Sequence, residues 1–122
     1  LDVSDNPALV NLYCYDNDLS HIDLSHNTNL EVLFTGLDDY YGGLGNPLSS
    51  LDVSKCLKLK DLSCTANNLS YLDLSNNVLL ESLSCKENRF GKILLPVNNR
   101  IASYDIRSIE YEYGADVIEY VQ

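Results

Sequence analysis

Apolar positions return along this chain at fixed offsets. The segment LDVSDN at Leu1 recurs as IDLSHN at Ile22, LDVSKC at Leu51 and LDLSNN at Leu72, with a degenerate ILLPVN at Ile93. The intervals are 21, 29, 21 and 21 residues. Between the copies lies L-x-x-L-x-C, as Leu9, Leu12, Cys14; Leu30, Leu33, Thr35; Leu59, Leu62, Cys64; and Leu80, Leu83, Cys85. Each is followed by N-x-L or N-x-F, beginning at Asn17, Asn46, Asn67 and Asn88. The long interval is a normal repeat with eight extra residues, because residues 36–45 stand where the other repeats have two.

A fixed period of about twenty residues is the mark of a solenoid. One repeat cannot bury its own apolar face, but stacked repeats bury a shared one. Side chains alternate along a strand, so Leu12 and Cys14 are expected inward while Tyr13 and Tyr15 face out. The same alternation places Leu1 and Val3 inward and Asp2 and Ser4 outward, and predicts extended structure on the back of the coil. Helical periodicity is absent from residues 1–95. The four N-x-L/F asparagines predict a ladder, since an amide carries both a donor and an acceptor for backbone groups left unpaired where the chain bends.

This pattern resembles the leucine-rich repeats of internalin-type bacterial surface proteins, whose 21-residue repeats carry Cys at the third apolar position and LDVS-x-N in the second half. The resemblance covers residues 1–95. It implies a β-rich leucine-rich-repeat solenoid, a right-handed coil of short parallel strands with few or no α-helices. It also implies a binding protein that is extracellular or at the cell surface, docking a protein or glycan on its concave face.

Residues 96–122 fall outside the repeats. They begin with Pro96 and Asn98-Asn99, which are turn signals, and alternate weakly through Ile109, Tyr111 and Tyr113. A solenoid needs its last coil covered. The segment therefore reads as a C-terminal β cap with a turn at Gly114, its tyrosines 104, 111, 113 and 120 lying over the core. Leu1 begins mid-repeat and the chain has no Met. The expectation is either end-to-end self-association through an open first coil or a missing upstream segment.

Charge narrows the partners. The 122 residues hold 18 acids against 8 Lys and Arg, a formal net charge of −10. That balance argues against nucleic-acid and anionic-membrane surfaces, which draw on Lys and Arg. No apolar run is long enough to predict membrane insertion as a helix. Residues 1–50 contain eight acids and no Lys or Arg.

Candidate chemistry is sparse, and no cofactor is implied. Cys14, Cys64 and Cys85 share one repeat position with Thr35, and Cys56 stands where other copies have Asn6, Asn27 and Asn77. A ladder spreads thiols along the axis instead of converging them as zinc requires, so buried reduced thiols are the reading, with disulfide and metal as its rivals. Asp2, Asp23, Asp52 and Asp73 form an outward row. Calcium needs six to eight oxygens, whereas each repeat offers one acid, so hydrogen bonding to its own turn is the simpler reading. His21 and His26 lie beside Asp23 and Ser25, but no catalytic motif is present, and the chain reads as no enzyme.

The outward positions of the front strands carry the functional argument. Tyr13, Tyr15 and Phe34 form an aromatic cluster, with Asp16 beside it and small polar residues further along. Grouped outward aromatics mark interfaces because they offer large area at low entropic cost. The insertion GLDDYYGGLG adds Tyr40 and Tyr41 at a tip that its four glycines make mobile. Two readings of the insertion stay open: a partner-binding loop, or a lid whose Leu37 and Leu44 fold back on Phe34. The candidate binding residues are therefore Tyr13, Tyr15, Asp16, Phe34, Tyr40 and Tyr41. The alternative function is a structural stalk that presents another part of a cell-surface protein.

Overall fold

The computed structural model describes residues 1–122. Its elements in chain order are β1 (Asn11–Tyr13), β2 (Val32–Phe34), β3 (Asp61–Ser63), β4 (Tyr71–Asp73), β5 (Ser82–Ser84), β6 (Lys92–Pro96), α1 (Ser103–Tyr113), a 3₁₀ turn (Ala115–Val117) and β7 (Ile118–Val121). The front sheet has the parallel order β1-β2-β3-β5 and the back sheet β4-β6-β7. The repeat alignment is also the strand register: Leu12, Leu33, Leu62 and Leu83 are successive partners across the front. On the back, Leu72 pairs with Ile93, so ILLPVN is a fifth copy in register. Back-side strands form only from the third coil onward, whereas residues 22–24 and 51–53 run without strand pairing. This is a leucine-rich-repeat solenoid.

The core is one cluster running the length of the coil. Leu30, Leu33, Leu59, Leu62, Leu80 and Leu83 are at most 2% exposed, each stabilising the fold by about 2 kcal/mol through burial. In the LDVS segments, Ile22, Leu24, Leu51, Val53, Leu72 and Leu74 are buried while Asp23, Asp52 and Asp73 are exposed. Leu1 departs from the alternation: it is exposed, although Val3 is buried.

Two asparagine ladders hold the bends. In the expected one, Asn46 donates to the carbonyls of Cys14 and Thr35 and accepts from the amides of Asn17 and Leu19 in the coil before it. Asn88 does the same between coils, donating to Cys64 and Cys85 and accepting from Leu69. Behind the insertion the ladder loses its accepting half, although Asn67 still donates to the carbonyls of Cys64 and Thr35. There the amide of Asn68 donates to the Leu48 carbonyl, and the buried Oδ1 of Asn67 has no partner. The second ladder is one the sequence reading passed over. Asn27 donates to Val3 and Asn6, and Asn77 donates to Val53 and Cys56. Cys56 occupies the missing rung.

The C-terminal segment corrects the all-strand reading of a β cap. Ser103–Tyr113 is an α-helix. Its inward residues are Ile106, Ile109 and Tyr113, a spacing of three and four that belongs to a helix. The apparent alternation through Tyr111 was misleading, since Tyr111 is 95% exposed. Of the four tyrosines only Tyr113 packs on the core; Tyr104 and Tyr120 are exposed as well. The repeat geometry nevertheless persists to the helix start. The backbone amide of Lys60 donates to the carbonyl of Glu31, that of Glu81 to the carbonyl of Lys60 and that of Ala102 to the carbonyl of Glu81, one coil after another. A fifth front strand would follow Ala102. The helix takes its place and closes the edge of β5 with side chains: Asp105 accepts from the amide of Leu83, and the Tyr113 hydroxyl donates to the Cys85 carbonyl at 2.6 Å. Strand β7 then pairs in parallel with β6.

Candidate functional site

The front sheet presents two outward rows. Asn11, Val32, Asp61 and Ser82 stand in register, as do Tyr13, Phe34, Ser63 and Ser84. Tyr13 and Phe34 meet edge to face with ring centroids 5.1 Å apart. Tyr13 is 58% exposed and Phe34 half-buried. Tyr15 is also half-buried, while Asp16 is exposed at the turn that follows. Asp16 has φ 57°, and its repeat equivalents Ala66 and Glu87 share that left-handed conformation. Asp16 is thus first a turn residue, held where the coil leaves its front strand.

The insertion is a seated hairpin with an exposed tip. Leu37 and Leu44 bond to each other as a two-sided antiparallel bridge, N–H to O at 2.9 Å each way. The resulting hairpin seats on coils three and four, so it is not a lid on Phe34. Asp38 pins it there. Its carboxylate accepts from the Thr65 hydroxyl at 2.8 Å and from the Ser84 hydroxyl at 3.2 Å. The hairpin covers that end of the face, and Ser63 and Thr65, expected outward, are buried. The glycines serve close approach more than mobility. A Cβ on Gly36 would lie 1.7 Å from the Thr65 carbonyl oxygen, and one on Gly45 would lie 1.8 Å from that of Ala66. Only Gly42, with φ 123° and open space around it, matches the flexible reading.

At the tip, Tyr40 and Tyr41 are more than 90% exposed and meet edge to face at 5.0 Å. The six candidate residues therefore fall into separate groups. One pair is Tyr13 with Phe34, the other Tyr40 with Tyr41, and no ring contact joins the two. Sequence reasoning missed three acids that shape this face: Asp38, Asp61 and Asp105. Asp61 stands beside Val32 in the outward row and is half-buried. Burial pushes its carboxyl upward, a hydrogen bond from the Ser82 side chain opposes this in part, and the negative charge of Asp105 adds to the rise. A residue of opposite sign never reaches it: the two ion pairs of the chain are Lys60 with Glu31 and Lys92 with Glu119. Between hairpin and helix a cleft of about 60 Å³ is lined by Asp38, Ser84, Lys86, Asp105 and Glu112.

The other candidate groups are accounted for locally. All four cysteines are free and buried. Burial raises each thiol, Cys56 to about 11 and Cys64 to about 12, with Cys14 and Cys85 also raised. Such thiols are poor nucleophiles and poor metal ligands, since both roles need the thiolate. Each outward Asp of the back row accepts the amide of the serine two residues on, at 2.9 Å in all four coils. Bonds from the hydroxyls and amides of these serines hold the carboxyls of Asp23 and Asp52 below the usual range, and the amide and then the hydroxyl of Ser4 do the same for Asp2. Ser25 and His26 lie 3.3 Å apart on the surface, and Asp23 bonds Ser25 instead of orienting an imidazole. A nucleophilic triad is not assembled there.

The fold and the buried thiol column define a cysteine-bearing leucine-rich-repeat domain. No protein-family model and no curated protein matches the chain. Among solved structures it is similar to the functional domain of internalin J from Listeria monocytogenes, described as including a cysteine ladder. The two share 25% identity with a TM-score of 0.50, over 84% of this chain and 28% of the other. The chain thus spans a little over a quarter of that domain's length.

Proposed function

We propose that this chain is a non-catalytic binding module that docks a partner, protein or glycan, on its front sheet. In this reading it belongs to a secreted or surface-exposed bacterial protein. The single observation that carries the proposal is the Tyr13–Phe34 pair, exposed on a sheet whose other outward residues are mostly small or polar. Aromatic anchors in such a setting are where binding energy concentrates. Hairpin 36–45 and helix α1 bound the open part of the sheet to β1, β2 and the start of β3. The resemblance to internalin-type repeats agrees with this use.

The test is a pair of screens, a glycan array and a display selection of unrestricted peptides. Each is run on the native protein and on the folded Tyr13→Ala/Phe34→Ala variant. Ligands retained by the native protein and lost on the variant are expected. A set of ligands held equally by both proteins would place binding elsewhere.

A further inference from the structure

We infer that the front face takes an arginine-bearing, extended peptide segment, whose arginine stem crosses the Phe34 ring of the Tyr13–Phe34 pair and whose guanidinium ends on Asp61. This deepens the docking reading and rests on it. The first support is arrangement. Neighbouring strands are about 4.8 Å apart and same-face residues are about 6.6 Å apart along a strand. Asp61, one strand over and one row along from Phe34, is then on the order of 8 Å from it diagonally. An arginine side chain spans that distance. Its methylene stem packs along an aromatic face while the guanidinium at its end meets a carboxylate with two parallel N–H donors.

The second support is charge. Asp61 is half-buried on the floor, close to Asp105, and the chain supplies it with no cation. Its sequence neighbour Lys60 is engaged with Glu31 at 3.5 Å. The two coils before it bring more acid and no base, for residues 1–50 contain neither Lys nor Arg. Lys86 of coil four lines the cleft between hairpin and helix together with Asp38, Asp105 and Glu112. An uncharged glycan would leave the Asp61 carboxylate with the Ser82 hydrogen bond but no counter-charge, and an anionic one would be repelled. A cationic side chain neutralises it. The strip from β1 to β3 is about 10 Å wide, room for about three residues of extended chain crossing the strands.

The experiment uses fluorescein-labelled dodecapeptides with one central arginine in a Gly-Ser background, and matched peptides with citrulline, which keeps the shape and loses the charge. Binding is read by anisotropy at low salt. The arginine peptide is expected to bind at least about tenfold more tightly. That preference should vanish in Asp61→Asn and should weaken as salt screens the pair. Asp61→Lys should transfer the preference to a glutamate peptide, which keeps the proposal testable if the amide variant misfolds. Equal binding of arginine and citrulline peptides overturns the inference, as does binding of neither up to about 1 mM. A preference that survives in Asp61→Asn also overturns it. The two readings fail separately. If glycans or neutral peptides bind the native protein and are lost on Tyr13→Ala/Phe34→Ala, the docking face stands and the arginine assignment falls. If the double variant loses nothing, the docking face falls as well.

Discussion

Gly36→Ala tests whether the insertion is truly seated on the solenoid. The added methyl would sit 1.7 Å from the Thr65 carbonyl oxygen and 2.6 Å from its carbon. Ordinary contact needs about 3.5 Å, so the two segments must part by more than about 1.5 Å. Neither side yields easily, because the contact is with backbone. The amides of Thr35 and Gly36 both donate to the Ser63 carbonyl, at 2.9 and 3.2 Å, and would be strained. The hydroxyl bonds from Thr65 and Ser84 to Asp38 would be lost with the hairpin. Neutral hydrogen bonds contribute about 1 kcal/mol and those to a charged group about 1.5–3 kcal/mol. Partial exposure of Ser84 and Asp38 puts the latter at the low end. A loss of about 2–5 kcal/mol follows, with the smaller figure if the hairpin lifts and the coil survives. Urea unfolding measures the loss, and limited proteolysis reads the exposure of residues 36–45. Gly91→Ala is the control, since its methyl would meet nothing within 4 Å, and it should be neutral or slightly stabilising. If Gly36→Ala unfolds within about 0.5 kcal/mol of Gly91→Ala and its hairpin resists protease equally, the seating is wrong.

Four further outcomes are expected. Cys64→Ser should cost about 1–3 kcal/mol by burying an unpaired hydroxyl, and Cys64→Ala less, while native protein should react with a thiol reagent only on unfolding; rapid native labelling of Cys14, Cys64 and Cys85 would remove the buried column. Cys56→Asn should be tolerated or stabilising, because it restores a rung that can donate to Leu24 and Asn27, and a loss above about 1 kcal/mol would refute the second ladder. Stability should fall at alkaline pH. The folded thiols of Cys56 and Cys64 titrate near 11 and 12 against about 8.5 unfolded. Their contribution is complete below about 8.5 and is lost at about 1.4 kcal/mol per pH unit per thiol until the folded value is reached; an unchanged slope in Cys56→Ala/Cys64→Ala would contradict it. Asp61→Asn should leave stability equal or higher at neutral pH. Its raised carboxyl means the fold favours the protonated form, so stabilisation is present at low pH and lost as pH rises through the folded value; thermal unfolding at pH about 4 and 7 checks the sign.

Much of this protein was legible in the repeat itself. The 21-residue spacing determined which leucines point inward, the strand partners across the front sheet and the thiol column. All of these follow from local alternation and from copies stacking on one another. The Tyr13–Phe34 pair was legible for the same reason, since equivalent outward positions in adjacent coils must be neighbours. Three features lay beyond that logic because they depend on contacts between parts with no shared period. The insertion has no counterpart in other coils, so only the tertiary structure shows Asp38 reaching Thr65 and Ser84, and Gly36 lying against a backbone carbonyl. The helix after Ala102 hides its three-and-four spacing in a short polar stretch, and its form is decided by the open edge of β5 that Asp105 and Tyr113 close. Asp61 looks in sequence like any charged strand residue. What sets it apart is that the fold brings it Asp105 while committing Lys60 to Glu31, and charge balance of that kind is a property of three-dimensional arrangement alone.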